Sequence, residues 1–239
     1  MNYYYITGTS RGIGKAMAEF LLKEKENFVV GISRKSTIEN KNYHHISLDL
    51  TNLYEVRKFK FENHTNAKRI CLINNSGAIG QVKPVGKLSN EQIINDYNLN
   101  LVAPTVLCNN FISAYKDVNA EKIIVNVSSG AGKNPVDGWG VYCASKAGID
   151  LFSRVIDNEQ KLTAKNGFRI FSVAPGVVDT QMQTDIRSAS KEDFSRLNDF
   201  LNYKNTGQLA EANTVAEKFF KILNQQGFIS EVLLSVKDF

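Results

Sequence analysis

Cysteine, proline and tryptophan are scarce in this chain of 239 residues, which contains three, four and one of them respectively. Cys71, Cys108 and Cys143 are odd in number and far apart, which excludes a disulfide framework and a cysteine-based zinc site. We therefore expect the cysteines to be small core residues. The three histidines also lack partners at metal-ligand spacing, so no bound metal is expected.

Long apolar runs, blocks of like charge and linker-like segments are absent as well. No apolar stretch approaches the ~20 residues that cross a membrane. The strand-like start near Met1 leaves no room for a signal peptide, so we expect a cytoplasmic protein. The net charge is +5, but the basic residues are scattered without an aromatic platform, which argues against a nucleic-acid partner. The absence of a linker predicts one domain over residues 1–239.

Glycine is well represented, and three glycines stand close together near the start of the chain. An aromatic and β-branched run leads into Gly8, Gly12 and Gly14, and apolar residues at helical spacing follow. This order predicts a strand, a tight loop and a helix whose free N-terminal amides bind an anion such as a pyrophosphate. The spacing Gly-x-x-x-Gly-x-Gly differs from the Gly-x-Gly-x-x-Gly dinucleotide fingerprint, so an ordinary glycine turn is the alternative interpretation.

The second apolar strand ends in Ser33-Arg34-Lys35, where no acidic residue is present. In dinucleotide-binding folds an acid at this point binds the ribose of NAD, and an arginine accommodates the 2′-phosphate of NADP. Arg34, together with Ser33 and Arg11, therefore favours NADPH, and a solvated basic pair is the alternative. Asp49, after the third strand, either accepts a hydrogen bond from the adenine amino group or caps the next helix.

Strands and helices alternate along the whole chain. Apolar runs predict strands over residues 3–6, 28–32, 43–48, 69–73, 121–127, 167–173 and 229–236. Helical patterns predict helices over residues 15–22, 52–61, 90–115, 139–163 and 211–225. The alternation predicts an α/β fold with a single Rossmann-type, doubly wound parallel β-sheet and helices on both faces. The polar segment 181–207 is expected to form a mobile substrate lid, with a surface helical hairpin as the alternative.

Tyr142 and Lys146 lie four residues apart, so they share one face of a predicted helix, and Ser129 follows the preceding strand. Reduction of a ketone by hydride leaves negative charge on oxygen, which a tyrosine can protonate if an ammonium stabilises its phenolate. Ser129 would bind the substrate oxygen, and Asn100 would hold a water that links Lys146 to solvent. The alternative is an incidental Tyr and Lys on one helix.

Several motifs in register resemble the short-chain dehydrogenase/reductase family over essentially the whole chain. They are residues 7–14, Asn74-Asn75-Ser76-Gly77 with Ser76 in place of the family's alanine, the set of Asn100, Ser129, Tyr142 and Lys146, and Pro175-Gly176 with Thr180. The resemblance implies the four catalytic roles described above. It also implies cofactor contacts by Gly8, Ser10, Arg11, Gly12, Ile13, Gly14, Ser33, Arg34, Asp49, Leu50, Asn75, Ser76, Gly77, Tyr142, Lys146, Pro175, Gly176, Val178 and Thr180.

Within the family, residues 128–135, 138–139 and 179–183 are similar to the sepiapterin reductase and benzil reductase branch. This resemblance implies an NADPH-dependent carbonyl reductase that acts on an aromatic or vicinal dicarbonyl or on a pterin side-chain ketone. It further implies a homodimer, with a tetramer as the alternative. The expected apolar walls of the substrate site are Pro135, Trp139 and Met182.

Sepiapterin reductases anchor the pterin with an aspartate near the C-terminus, where this chain has Ser235. Asp238 is the nearest acid, so the resemblance favours a dicarbonyl substrate over a pterin. Two other functions stay open at this point. One is an acyl-carrier-protein ketoreductase, and the other is a non-catalytic NADPH-sensing protein that uses the fold without chemistry.

Overall fold

The core of the fold is a parallel sheet. Its strands are β1 (Asn2–Thr7), β2 (Asn27–Ser33), β3 (Tyr43–Ser47), β4 (Arg69–Asn74), β5 (Glu121–Val127), β6 (Arg169–Ala174) and β7 (Leu233–Ser235). They lie in the order β3-β2-β1-β4-β5-β6-β7, which opens a crevice between the carboxyl ends of β1 and β4. The computed structural model describes residues 1–163, 167–225 and 231–239.

Helices cover both faces of the sheet. They are α1 (Gly12–Leu21), α2 (Leu53–Val56), α3 (Asn90–Tyr97), α4 (Ala103–Tyr115), α5 (Gly140–Thr163), α6 (Gln181–Arg187), α7 (Leu197–Asn205) and α8 (Ala212–Asn224). Helices α1 and α8 pack on one face, and α4 and α5 pack on the other. The predicted doubly wound α/β fold is therefore confirmed. Within the described ranges no helix combines the length and apolarity that a membrane crossing requires.

The central strands are apolar on both sides because both faces of the sheet are covered. In β1, Tyr4 and Ile6 pack toward α1 and α8, whereas Tyr5 packs toward α4. Cys71 of β4 and Cys108 of α4 are also fully buried, and burial raises the pKa of both thiols to about 12. These two cysteines are core residues, as expected, whereas Cys143 is half-buried at the amino end of α5.

Two predicted helices differ from the structure. The helix expected over 90–115 is interrupted by a π-helical turn, Asn98–Val102, between α3 and α4. Pro104 has no N–H to donate to the carbonyl of Asn100. The α-helical pattern of hydrogen bonds is therefore interrupted at this point. The helix expected over 52–61 is a single turn, because Phe59 and Phe61 leave it to pack against each other and the core.

The other predicted elements differ only at their ends. Helix α5 begins at Gly140 rather than 139, and the predicted strand over 229–236 is seen as β7. Residues 229 and 230 of that prediction lie outside the described residues. The segment 181–207 contains α6 and α7, as its helical pattern predicted, but it is not simply polar. Its buried apolar side chains are Ile186, Phe194, Leu197 and Phe200.

A third apolar cluster therefore lies above the carboxyl ends of the strands, separate from the two sheet faces. Its buried members are Ile79, Ala131, Trp139, Tyr142, Ile186, Phe194, Leu197 and Phe200. They come from the loops after β4 and β5, from the start of α5 and from the segment 181–207. We call this group the lid cluster.

At the opposite end of β1, His64 is buried in a group of aromatic side chains. Its Nε2 lies 2.8 Å from the Tyr5 hydroxyl, and its ring stacks on Tyr3 with a centroid distance of 3.7 Å. Tyr115 donates a hydrogen bond to the Tyr5 hydroxyl at 3.3 Å. Burial lowers the pKa of His64, and the nearby Glu62 opposes this shift only in part.

We expect the free energy of unfolding to decrease as the pH falls below about 6.5, the ordinary pKa of histidine. The folded chain takes up the proton on His64 less readily than the unfolded chain, so protonation favours unfolding. Chemical denaturation from pH 7.5 to 5.0 measures this dependence. The change of the unfolding free energy with pH should be smaller in His64→Gln than in the wild type. It should be unchanged in His44→Gln, which alters an exposed histidine. Equal slopes in the two variants would contradict this expectation.

Candidate active site

Each of the three glycines in the loop between β1 and α1 is required by its backbone conformation or by a close contact. Gly8 and Gly12 have φ angles of +77° and +58°, a conformation that glycine adopts without steric cost. A Cβ at Gly14 would overlap the side-chain nitrogen of Asn75 and the carbonyl oxygen of Gly8. Ile13 packs against the core. The loop thus holds its backbone beside the amino end of α1, where unpaired amides form an anion site.

Thr7 joins the glycine loop to the end of β4. Its hydroxyl oxygen accepts hydrogen bonds from the backbone N–H groups of Asn75 and Ser76, both at 2.9 Å. The side-chain amide of Asn75 donates in return to the carbonyl oxygen of Thr7 at 2.9 Å. Asn75 and Ser76 therefore fix the two strand ends at the crevice, with Gly77 next in the chain. Sequence reasoning did not single out Thr7 as the residue that makes this connection.

The carboxyl end of β2 lies beside the glycine loop. The hydroxyl of Thr37 donates to the carbonyl oxygen of Ser10 at 3.0 Å, which connects the segment after β2 to the loop. Ser33 is buried, and its hydroxyl donates to the carbonyl oxygen of Lys35 at 2.9 Å. Arg34 is exposed at this edge, and Arg11 is exposed on the loop itself. The edge therefore offers guanidinium groups to an anionic ligand.

Two residues near Ser33, Tyr43 and His45, were not anticipated from the sequence. The Tyr43 hydroxyl lies 2.9 Å from Thr9 Oγ1 and stands directly over Gly31, where a Cβ would overlap it. The Nε2 atom of His45 lies 3.2 Å from Ser33 Oγ. Tyr43 and His45 lie near Ser33 because β3 pairs with β2 in the sheet. No short sequence motif predicts that pairing.

Asp49 holds a turn rather than presenting both carboxylate oxygens to a ligand. Its Oδ1 accepts hydrogen bonds from the backbone N–H and the hydroxyl of Thr51, at 2.9 and 2.8 Å. The backbone hydrogen bond from Thr51 lowers the pKa of Asp49, and the charge of Arg34 lowers it further. Asp49 does not cap α2, because the N-cap residue is Asn52 and no side chain caps this helix. Leu50 and Val178 bury their side chains in the core, so only their backbone groups are left for a cofactor.

The loop after β6 returns to the glycine loop. Pro175 is half-buried, and Gly176 has a φ angle of +76°. Thr180 lies just before α6, and its methyl carbon is 3.4 Å from the point that a Cβ of Gly12 would occupy. The structure thus brings the predicted Pro175-Gly176-Thr180 stretch to the same crevice as the glycine loop.

Tyr142 and Lys146 share one buried face of α5. The Lys146 Nζ donates to the carbonyl oxygen of Val127, at the end of β5, over 2.7 Å. It also lies 5.6 Å from the centroid of the Tyr142 ring. Burial raises the pKa of Tyr142 to about 12, and a hydrogen bond with Ser129 opposes this shift. Burial lowers the pKa of Lys146 to about 8. The tyrosine therefore keeps its proton at neutral pH while the lysine is largely charged.

Ser129 and Asn100 fix the backbone around this pair. Ser129 Oγ accepts a hydrogen bond from the N–H of Ala131 at 3.2 Å, so its side chain is held at the start of a short 3₁₀ turn. Asn100 is buried in the π turn. Its Oδ1 accepts from the N–H of Ala78 and its Nδ2 donates to the carbonyl of Ala78, both at 2.9 Å. The Asn100 side chain therefore holds the loop after β4 beside Lys146, and its water-holding role stays a prediction.

Asp150 is a residue of the site that sequence reasoning missed. It is buried one helical turn beyond Lys146, and its Oδ1 accepts a hydrogen bond from the hydroxyl of Ser172 at 2.6 Å. Its negative charge opposes the effect of burial on the pKa of Lys146. The signal was present in the sequence, because Tyr142, Lys146 and Asp150 continue one series at intervals of four residues.

The three expected substrate walls lie in different surroundings. Trp139 is buried in the lid cluster, and Met182 packs against that cluster from α6. Pro135 is exposed, and its neighbour Val136 packs against the lid cluster instead. Tyr142 belongs to the same cluster, so the predicted proton donor borders the apolar surface. No group of three or more metal-ligating side chains occurs within the described ranges.

Comparison with known proteins gives the class of this chain. The family model described as short chain dehydrogenase matches residues 2–191. Because that match covers most of the sequence, the chain belongs to the short chain dehydrogenase family. The solved structure of a short chain dehydrogenase/reductase from Saccharomyces cerevisiae superposes with a TM-score of 0.84 at 25% identity. That comparison covers 100% of this chain and 97% of the yeast chain.

Relatives with curated names indicate the branch of the family to which the chain is similar. Benzil reductase ((S)-benzoin forming) of Bacillus cereus is 38% identical over 241 residues, which are 95% of this chain and 96% of that protein. The protein of the same name from Bacillus subtilis (strain 168) is 36% identical over 100% of both chains. Sepiapterin reductase of Meriones unguiculatus is 34% identical over 68% of this chain and 61% of its own length. The predicted family and branch are confirmed.

We expect Lys146 to titrate near pH 8, because burial disfavours its charged form. Protein labelled with ¹³C at the lysine ε-carbons and followed by NMR measures this midpoint, and Lys146→Met assigns the resonance. In Asp150→Asn the midpoint should fall by about one unit, because the opposing charge is lost while Ser172 keeps an acceptor. Asp157→Asn, which removes a surface ion pair with Lys161, is the control and should leave the midpoint unchanged. A midpoint above pH 10 would contradict the expectation.

Proposed function

We propose that the protein is an NADPH-dependent carbonyl reductase that transfers a hydride to a ketone of a small molecule. The observation that carries the proposal is the buried pair of Tyr142 and Lys146 at the crevice formed by the glycine loop. Ketone reduction needs a proton donor that is neutral in its resting state and a cation that stabilises its anion. The family of the chain uses nicotinamide cofactors, and the glycine loop fits the pyrophosphate of such a cofactor.

Each residue has a defined task in this proposal. Ser129 and Tyr142 donate hydrogen bonds to the carbonyl oxygen of the substrate and so orient its carbon toward the nicotinamide. A reduced nicotinamide held at the glycine loop would supply the hydride to that carbon. Tyr142 gives its proton to the oxygen, and the charge of Lys146 stabilises the phenolate that remains. Asp150 keeps Lys146 protonated, and Asn100 holds the loop that borders the pair.

The preference for NADPH rests on the edge beside β2. Arg34 and Arg11 supply positive charge there, and Ser33 supplies a hydroxyl. No acidic side chain follows β2 directly, where it would favour the free ribose of NADH and repel a phosphate. Arginine suits a phosphate because its planar donors form paired, charge-assisted hydrogen bonds.

The proposed substrate is an aromatic or vicinal dicarbonyl. Two benzil reductases match over at least 95% of this chain, and the lid cluster offers aromatic walls beside Tyr142. A pterin side-chain ketone is the second candidate because of the sepiapterin reductase relatives. At the end of β7, Ser235 uses its oxygen to accept from the N–H of Lys237 at 3.2 Å, and Asp238 is exposed. A buried carboxylate that would anchor a pterin is therefore missing from this position, which favours the dicarbonyl.

We further propose that residues 181–207 act as a lid and that two copies of the chain associate through α4 and α5. Ion pairs of 2.7 Å between Lys87 and Asp193 and between Lys204 and Asp179 connect the lid to the rim of the crevice. These pairs are exposed, and such pairs stabilise by at most ~1 kcal/mol, so they permit opening. The exposed side chains of Leu151 and Val155 on α5 suit burial by a second copy.

Loss of NADPH absorbance with benzil, sepiapterin or an acetoacetyl thioester tests the proposed reaction. We expect turnover of benzil and a loss of at least ~100-fold in Tyr142→Phe, because the proton donor is removed. NADPH binding should persist in that variant. Tyr54→Phe, which alters an exposed tyrosine, is the control.

Three other outcomes would change the assignment. Equal turnover by Tyr142→Phe would remove this residue from proton delivery. Turnover of the thioester alone would favour an acyl-carrier-protein ketoreductase. Binding of NADPH without turnover of any of the three compounds would favour a sensor.

Arg34→Ala should lower the preference for NADPH over NADH by about tenfold, because a charge-assisted contact with the 2′-phosphate is lost. Titration calorimetry with each cofactor measures the ratio of the two dissociation constants. Lys35→Ala, which changes the neighbouring exposed cation, should have a smaller effect. If the ratio is the same in Arg34→Ala as in the wild type, Arg34 does not select the cofactor.

A further inference from the structure

The single tryptophan of the chain carries a buried hydrogen-bond donor without a partner. Trp139 is only 8% exposed, and its indole Nε1 has no acceptor among the residues that the structure describes. Buried polar groups are paired in the great majority of cases, because leaving one unpaired has a substantial free-energy cost. A donor of this kind beside a reaction centre calls for a functional explanation.

None of the described side chains packed around the indole accepts a hydrogen bond from it. Phe194 stacks on it with a centroid distance of 5.5 Å, and Phe200 meets it at 5.4 Å. The other buried members of the lid cluster are aliphatic, apart from Tyr142. The indole N–H therefore lies in an apolar environment, where a hydrogen bond to a ligand is strengthened by the absence of competing water.

Trp139 also lies next to the proposed proton donor. It precedes Tyr142 by three residues, and the two rings meet edge to face with centroids 5.9 Å apart. A substrate whose carbonyl oxygen contacts the Tyr142 hydroxyl therefore places its neighbouring atoms near the indole. Gln183, on α6, also has an unpartnered buried atom, but this atom is the amide oxygen Oε1, which accepts hydrogen bonds and does not pair with a carbonyl oxygen. The indole N–H is the group of the correct polarity.

We propose that the indole N–H of Trp139 donates a hydrogen bond to a second oxygen of the substrate, on the carbon adjacent to the carbonyl that is reduced. The site thereby selects vicinal dicarbonyls over ketones with one oxygen. This inference rests on the proposed function and gives Trp139 a polar role in addition to that of an apolar wall. A ketone without the second oxygen leaves the donor unpaired, which is the basis of strong discrimination by buried polar groups.

A matched pair of substrates isolates the second oxygen. Benzil and deoxybenzoin share the diphenylethane skeleton and differ by one carbonyl group. We expect the ratio of kcat/KM for benzil to that for deoxybenzoin to fall by about tenfold in Trp139→Phe, because the aromatic ring is kept and the N–H is removed. Phe194→Leu is the control. It disturbs the packing of the indole but keeps its N–H, so both substrates should be affected alike.

A second measurement avoids the loss of packing that the smaller ring in Trp139→Phe causes. Because the chain contains one tryptophan, biosynthetic replacement of tryptophan by β-(3-benzothienyl)alanine changes only this side chain. Sulfur then replaces the N–H within a ring of nearly the same shape. The ratio of kcat/KM for benzil to that for deoxybenzoin should fall as it does in Trp139→Phe. The affinity for NADPH and the melting temperature should be unchanged.

The outcomes separate this inference from the proposed function. An unchanged ratio in the benzothienyl protein overturns the role of Trp139, and so does an equal fall of the ratio in Phe194→Leu. If the wild-type protein reduces neither ketone, the proposed function fails instead.

Discussion

Lys146 extends its amine into the interior, where a charged group is stable only with compensating partners. The carbonyl of Val127 accepts its hydrogen bond, and Asp150 supplies an opposite charge on the same helix. The hydrogen bond to Val127 requires α5 to lie against the end of β5 in one orientation. That orientation also fixes Tyr142, because it shares the helix face with Lys146. The position of Tyr142 beside Lys146 is therefore a consequence of how one buried cation is accommodated.

The crevice in front of this pair is held by reciprocal hydrogen bonds between loops that are distant in the sequence. Thr7 and Asn75 bond to each other in both directions, and so do Asn100 and Ala78. Each arrangement uses a side chain to satisfy backbone groups that a strand end leaves unpaired. The loops after β1 and β4 thereby keep their shape without regular secondary structure.

The lid cluster adds an apolar surface to a polar site. Its aromatic side chains exclude water from the neighbourhood of Tyr142, and burial is the main cause of the shifted pKa values of Tyr142 and Lys146. The same environment makes the unpaired N–H of Trp139 a strong donor for a ligand. The burial of Tyr142 and Trp139 therefore depends in part on the packing of residues 181–207 over the carboxyl ends of the strands.

The sequence by itself determined the alternation of strands and helices, the glycine loop and the common face of Tyr142 and Lys146, because periodicity and glycine spacing are local properties. Only the tertiary structure decided where helices end and which polar atoms are paired. The π turn at Asn100, the early end of α2 and the apolar side of the lid arise from packing between distant segments. The roles inferred for Asp150 and Trp139 depend on their burial, and burial is a property of the assembled fold.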